Sequence, residues 1–146
     1  MIIGYAAGAF DLFHVGHLNI LRQAKSRCDF LIAGVVSDER VESSKGYRPV
    51  IPTLERAEIV ENISYVDKVF IETSANRLDT WAETAFDVFF KGDDWKGTAK
   101  GRELESLFSA VGVRVEYFPY TIHTSSTKLR SALDMLSSSV TGNVKA

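Results

Sequence analysis

The chain is sparing in several things, and each shortage narrows what it can be. Of its 146 residues only one is cysteine, Cys28, so no intrachain disulfide can form and the fold must rest on packing. No apolar run approaches the ~20 residues of a membrane span. The N-terminus lacks the charged start and small-residue cleavage site of a secretory signal. These absences predict a cytoplasmic protein. Basic residues are not in excess: 17 Lys and Arg stand against 19 Asp and Glu, a net charge of −2. That excludes a global field for nucleic acid or anionic lipid, so any phosphate affinity must be built locally. There is no Gly-x4-Gly-Lys-Ser/Thr sequence and no Gly-x-Gly-x-x-Gly turn, which argues against a P-loop and against a dinucleotide fold. No internal repeat and no second core are visible.

What is present is an alternation. Hydrophobic residues make up 45% of the chain, as in a globular domain. Ile2 to Ala7 reads as a buried strand, and Leu18, Leu21 and Ala24 then recur at helical spacing. Phe30 to Val36 is a continuous apolar run, the mark of a strand covered on both faces. The stretch 42–52 holds Ser43, Ser44, Gly46, Pro49 and Pro52 and reads as a mobile loop. Thr53 is placed to cap a helix over 54–63. Strands follow at 68–71, 87–90 and 113–118, with helices at 76–84, 102–110 and 126–136. Residues 1–136 therefore make one α/β domain, a doubly wound five-stranded parallel sheet of Rossmann-like type. Residues 137–146 read as a polar, flexible tail. In such a sheet the segments after the strands meet along one rim.

The first of those segments is the most telling. Gly8-Ala9-Phe10-Asp11 and His14-Val15-Gly16-His17 form a strand-to-helix turn. Histidines three apart share a helix face at its first turn, where unpaired N–H groups and the dipole favour an anion. Gly16 between them leaves the backbone open to a phosphate. Two ligands are too few for structural zinc, so the choice lies between a phosphate site and two surface histidines. Asp93-Asp94-Trp95 is either a solvated acidic turn or a place where a carboxylate and an indole meet a base. The hydroxyl-rich 121–127 segment is a helix cap and a candidate second anion cradle. Lys45 is either solvated or able to close over a triphosphate. Arg56 opposes the dipole at its helix start, which suggests that it faces a ligand anion. Asp38 follows a strand at the same rim.

These residues resemble a known family. Gly8-Ala9-Phe10-Asp11 with His14-Val15-Gly16-His17 is similar to the G-x-F-D and HxGH elements of the nucleotidyltransferase superfamily. Tyr65-Val66-Asp67, Gly92-Asp93-Asp94-Trp95 and Ser125-Ser126-Thr127-Lys128 narrow the likeness to its cytidylyltransferase branch, the glycerol-3-phosphate cytidylyltransferases and their kin. The resemblance implies transfer of CMP from CTP to glycerol 3-phosphate or a related polyol or sugar phosphate, giving a CDP-alcohol and pyrophosphate. It also implies Mg²⁺ carried on the triphosphate and a homodimer. By matching, His14, His17 and Lys45 are the catalytic set. Gly8, Ala9, Phe10, Gly16, Asp94, Trp95, Ser126 and Thr127 hold the nucleotide. Asp11, Asp38, Arg56 and Asp67 lie towards the acceptor. Two rival readings stay open: an adenylyltransferase acting on flavin mononucleotide or a sugar phosphate, and a nucleotide-binding module with little turnover. The chain departs from the family pattern at Ala9, where threonine is usual, and at Ser64 and Tyr120, where arginines are usual. Arg48, Arg77 and His123 are the candidate replacements.

Overall fold

A computed structural model describes residues 1–119 and 125–145, with side chains described through residue 138. The expected strands are all present: β1 (Ile3–Gly8), β2 (Phe30–Val36), β3 (Lys68–Glu72), β4 (Val88–Gly92) and β5 (Arg114–Phe118). All pair in parallel, in the order β3-β2-β1-β4-β5. The helices are α1 (Val15–Lys25), α2 (Asp38–Lys45), α3 (Thr53–Glu61), α4 (Arg77–Thr84), α5 (Ala99–Ser109) and α6 (Ser126–Lys145). Among the described residues no helix is long and apolar enough to cross a membrane.

The continuous apolar runs divide by alternation into two cores, one on each face of the sheet. On one face Ala6, Leu31, Ala33, Val35, Val88 and Phe90 pack with Leu21 and Ala24 of α1 and Val60 of α3. On the other, Tyr5, Ile32 and Phe89 pack with Leu104 and Phe108 of α5, and Leu78 and Trp81 of α4 lie against them. Gly34 permits one of these contacts: a Cβ there would meet the Tyr5 hydroxyl. That hydroxyl instead donates to the buried Glu72 carboxylate at 2.7 Å. Burial, and then the neighbouring Glu72 charge, raise the phenol's pKa.

Three differences from the sequence reading bear on the site. First, residues 42–45 are not loop: α2 runs through Lys45 and stops at Gly46, which takes the left-handed cap at φ 79°. The remainder is anchored, because the Asp11 carboxylate accepts the N–H groups of both Val50 and Ile51 at 2.9 Å. Second, Thr53 is inside α3 and Pro52 holds the cap position. The Thr53 hydroxyl serves α2 instead, accepting the Asp38 N–H at 2.9 Å. Third, the stretch 137–145, expected as a tail, continues α6. The expectations for Tyr120, Thr121, Ile122, His123 and Thr124 fall outside the described residues.

Arg56 departs furthest from expectation. It is 1% exposed, and all five of its N–H donors are used internally. Nε donates to Ile51 O, Nη1 to Ala9 O and Val36 O, and Nη2 to Asp38 and to the Thr53 hydroxyl. The cation that seemed to oppose its helix dipole is neutralised by Asp38 at 2.7 Å. Burial alone would raise the Asp38 carboxyl's pKa, but the bonds from Arg56 and Thr53 hold it below the usual range. Neither residue is available to an acceptor. Removing one member of such a buried pair leaves the other uncompensated, which costs about 3–5 kcal/mol. Arg56→Ala should lower the unfolding free energy by about that amount in a urea titration. Arg56→Lys should recover little of it, since an ammonium cannot reach five divergent acceptors.

Candidate active site

The strand order reverses at β1, which has β2 on one side and β4 on the other. Chains leaving the carboxyl ends of β1 and β4 diverge there and open a cleft. The cleft is a cavity of about 730 Å³. It gathers Gly8, Ala9, Phe10 and Asp11 after β1, and His14, Gly16 and His17 at the start of α1. Lys45 joins from the end of α2, Asp94 and Trp95 from beyond β4, and Ser126 and Thr127 from α6. Asp38 and Arg56 lie behind it, bound to each other. Asp67 does not approach it. That residue precedes β3 at the opposite, amino edge of the sheet, where its carboxylate accepts the Leu31 N–H at 2.7 Å and pairs with Lys25 at 2.6 Å. The acceptor role expected for Asp67 is therefore corrected: it clamps two strands together.

The turn after β1 is an unusual piece of backbone. Phe10 and Leu12 both have positive φ, 54° and 51°. This is the left-handed region, which costs a side-chain-bearing residue roughly 1–2 kcal/mol. Several contacts hold it there. Arg56 binds Ala9 O, Asp11 binds the 50–51 backbone, and the Phe10 ring is buried. The Phe10 ring packs edge-on to His17 at 5.5 Å between centroids, and Phe13 lies 5.2 Å from the same ring.

The histidines cap the helix they begin. His14 Nδ1 accepts the Gly16 N–H at 3.0 Å, and His17 Nδ1 accepts the His14 N–H at 3.2 Å. This is a capping box built from imidazoles in place of a hydroxyl and a carboxylate. It has a chemical consequence. With each Nδ1 committed as an acceptor, the neutral ring carries its proton on Nε2. Both rings are shifted towards the neutral form. Burial lowers the His14 pKa, while burial and then the nearby His14 push His17 down to about 3. The ring centroids are 4.0 Å apart. His17 Nε2 lies 3.5 Å from the Ser126 hydroxyl, which donates to Asp11 O at 2.5 Å and so docks α6 onto the turn.

Sequence reasoning missed the cleft's other cations. Lys91, Lys100 and Arg130 line it with Lys45, whereas its carboxylates are Asp11 and Asp94. Arg130 is the one with a legible signal: it lies three and four residues beyond Thr127 and Ser126, on the same face of α6. Its Nη2 donates to the Tyr47 hydroxyl at 2.8 Å, its guanidinium carbon lies 4.1 Å from that ring's centroid, and Nη1 stands 3.7 Å from Asp11. Of the residues expected to replace the absent arginines, His123 lies outside the described residues and the other two have carboxylate partners. Arg48 pairs with Glu42 and Glu39, and Arg77 pairs with Glu72. Lys91 Nζ sits 3.9 Å from the Trp95 ring centroid. Burial lowers its pKa; Asp94 opposes this, and Arg77, Lys45 and Lys100 reinforce it.

A parallel α/β sheet with a cation-lined cleft beside a histidine-capped helix at its switch point is a Rossmann-like domain of the nucleotidyltransferase type. The chain belongs to the cytidylyltransferase-like family, whose model matches residues 5–132. It is 38% identical to the bifunctional protein HldE of Acidiphilium cryptum over 133 residues, 88% of this chain and 27% of that protein. Against the HldE of Koribacter versatilis the identity is 36% over 125 residues, 84% of this chain and 25% of that one. The chain thus spans about a quarter of the length of these relatives. Among solved structures it is similar to a lipopolysaccharide core biosynthesis protein from Thermoplasma volcanium. The TM-score is 0.72 and the identity 25%, over 85% of this chain and 99% of that one.

The histidine geometry makes a pH prediction. In the unfolded chain His17 protonates near its ordinary value of 6.5, whereas in the fold it stays neutral down to about 3. Between those values the unfolded state binds the extra proton. The contribution to stability is therefore complete above 6.5 and is lost as pH falls towards 3. The urea midpoint of His17→Gln should accordingly fall less than the wild type's between about pH 7 and about pH 5. Parallel declines would mean that His17 is not the group held neutral.

Proposed function

We propose that this domain transfers a nucleotidyl group from a nucleoside triphosphate to a phosphorylated sugar or polyol, releasing pyrophosphate. The observation that carries the reading is the reciprocal histidine cap, which leaves Nε2–H donors at the N-terminus of α1 in the cleft. In the reaction an oxygen of the acceptor's phosphate attacks the α-phosphorus. The bond to the bridging oxygen breaks, and pyrophosphate leaves with that electron pair. The nucleophile is already an anion, so no general base is needed. The task left to the protein is positioning and charge stabilisation. His14 and His17 donate to the α-phosphoryl oxygens as charge builds there. Lys45, Arg130 and the Thr127 hydroxyl take the β- and γ-phosphates, while Ser126, whose hydroxyl is spent on Asp11 O, positions the start of α6.

Among the described residues no three metal-ligating side chains gather. Mg²⁺ carried on the triphosphate with its waters is part of this proposal. Bound there, the ion would neutralise phosphate charge.

The family's description favours CTP as the donor. The kinship with a lipopolysaccharide core biosynthesis protein favours a sugar phosphate as the acceptor. A second reading, ATP as donor, draws on Lys91, whose ammonium lies over the indole expected to stack on cytosine. The homodimer belongs to this proposal too: Leu54 and Ile59 of α3 are 74% and 45% exposed.

Pyrophosphate release should be followed with each of the four nucleoside triphosphates, Mg²⁺ and a panel of sugar and polyol phosphates. Turnover with CTP upholds the cytidylyl reading, and turnover with ATP alone replaces it by the second. Tight nucleotide binding without turnover in any pair would reduce the domain to a binding module. His17→Ala should cut kcat by about 10²–10³. Full activity in that variant would remove the histidines from the mechanism.

A further inference from the structure

The last helix holds the domain by one end. Beyond Arg130 every described side chain of α6, through residue 138, is exposed. The position of the helix over the cleft is therefore decided in its first five residues. Ser126 fastens it to the turn after β1 through Asp11 O. Arg130 fastens it to the loop after α2, 83 residues earlier in the chain, by donating to the Tyr47 hydroxyl.

The Arg130 guanidinium is only 16% exposed, and its surroundings are unusual for a buried cation. Nη2 donates to Tyr47 at 2.8 Å and to the Thr127 hydroxyl at 3.2 Å. The guanidinium carbon lies 4.1 Å from the Tyr47 ring centroid, so the cation rests on the face of the ring. Nη1 stands 3.7 Å from Asp11, beyond hydrogen-bond distance. That carboxylate already accepts the Val50 and Ile51 amides. The charge of Asp11 is thus close to Arg130 without being locked onto it, and the aromatic ring fixes the direction of the guanidinium.

We propose that Tyr47 is a positioning residue, which aims Arg130 at the β- and γ-phosphates and ties the wall made by α6 to the wall that carries Lys45. This rests on the nucleotidyl-transfer reading, in which Arg130 meets those phosphates. Tyr47 comes two residues after Lys45, across Gly46, whose left-handed φ of 79° turns the chain out of α2. Lys45, Tyr47 and Arg130 all line the same cavity. One contact therefore sets the guanidinium and steadies the end of the helix that bears the lysine. The choice of an aromatic tether has a physical reason. A carboxylate at this place would hold Arg130 in a charge-assisted pair, compete with a phosphate for its donors and add negative charge where an anion must bind. A ring face attracts the cation through its quadrupole and adds no net charge.

The test is a double-mutant cycle read by binding. Calorimetry should titrate inorganic tripolyphosphate, CTP and ATP, each with Mg²⁺, into the wild type, Tyr47→Ala, Arg130→Ala and the double variant. Tyr47→Ala should weaken binding of tripolyphosphate and of the preferred nucleotide about tenfold, and Arg130→Ala by at least as much. The double variant should bind no more weakly than Arg130→Ala alone, because Tyr47 acts through the guanidinium. Tyr47→Phe, which keeps the ring face, should recover most of the loss, and Tyr47→Leu, which has no such face, should recover none. Tripolyphosphate has no base and cannot donate a nucleotidyl group, so it separates the two readings. Tyr47-dependent binding without turnover of any nucleotide upholds the positioning role, and only the transfer reading fails. Turnover in Tyr47→Ala with an unchanged nucleotide KM overturns the positioning role and leaves the transfer reading standing. Additive losses in the double variant overturn it as well. So do equal affinities in the Phe and Leu variants, or a wild type that binds neither a nucleotide nor tripolyphosphate.

Discussion

The guanidinium of Arg56 is the constraint on which the site depends. It collects Ala9 from the turn after β1, Val36 from the end of β2, Ile51 from the loop before α3, and Asp38 and Thr53 from the two helices between. These segments leave a sheet edge, where carbonyls run out of strand partners and must otherwise find water. One cation with five fixed donors satisfies them together. Burying that charge would be prohibitive alone, but the desolvation is offset because every donor is used and Asp38 neutralises it. The left-handed backbone at Phe10 lies one residue from a carbonyl so held, so the strain of the turn is borne by the network behind it.

Acidic residues do parallel work at both edges of the sheet. At the carboxyl edge, Asp11 fastens the loop after α2 by two backbone N–H groups. At the amino edge, the aspartates that directly precede β2, β3 and β4 each accept the first free N–H of a neighbouring strand. Asp29 takes Ile2, Asp67 takes Leu31 and Asp87 takes Ile3. This is one device used three times to fix register in a parallel sheet, whose evenly spaced bonds do not select register by themselves. It also explains why Asp67 reads as a motif without standing near the cleft.

The strands were legible because parallel strands covered on both faces are continuous apolar runs, and the β2 run is read residue for residue as it folds. The histidine turn was legible because its chemistry is local: spacing, a flanking strand and a helix suffice. The internal bonds of Arg56, Asp38 and Asp11 were not legible, for the converse reason. Most of their partners are backbone carbonyls and amides, up to 47 residues away, and a backbone partner leaves no mark in the sequence. A lone cation at a helix start looks the same whether it faces a ligand or a buried carbonyl. Lys91 and Lys100 escaped because the cleft wall they share depends on how closely α5 approaches Trp95, a distance set at Gly101.

The two halves of the cleft answer one physical problem differently. A site for a highly charged substrate must be attractive when full and not ruinous when empty. Under the aromatic rings of Phe10 and Phe13, where a buried cation would be costly, the donors are neutral imidazoles whose tautomer is set by the helix they cap. Towards the mouth the donors are charges on long stems, partly buried against the faces of Tyr47 and Trp95. Neutral donors can then stay aligned at the centre without a counter-ion. The cations nearer the mouth give the cleft its local positive charge in a chain whose net charge is −2.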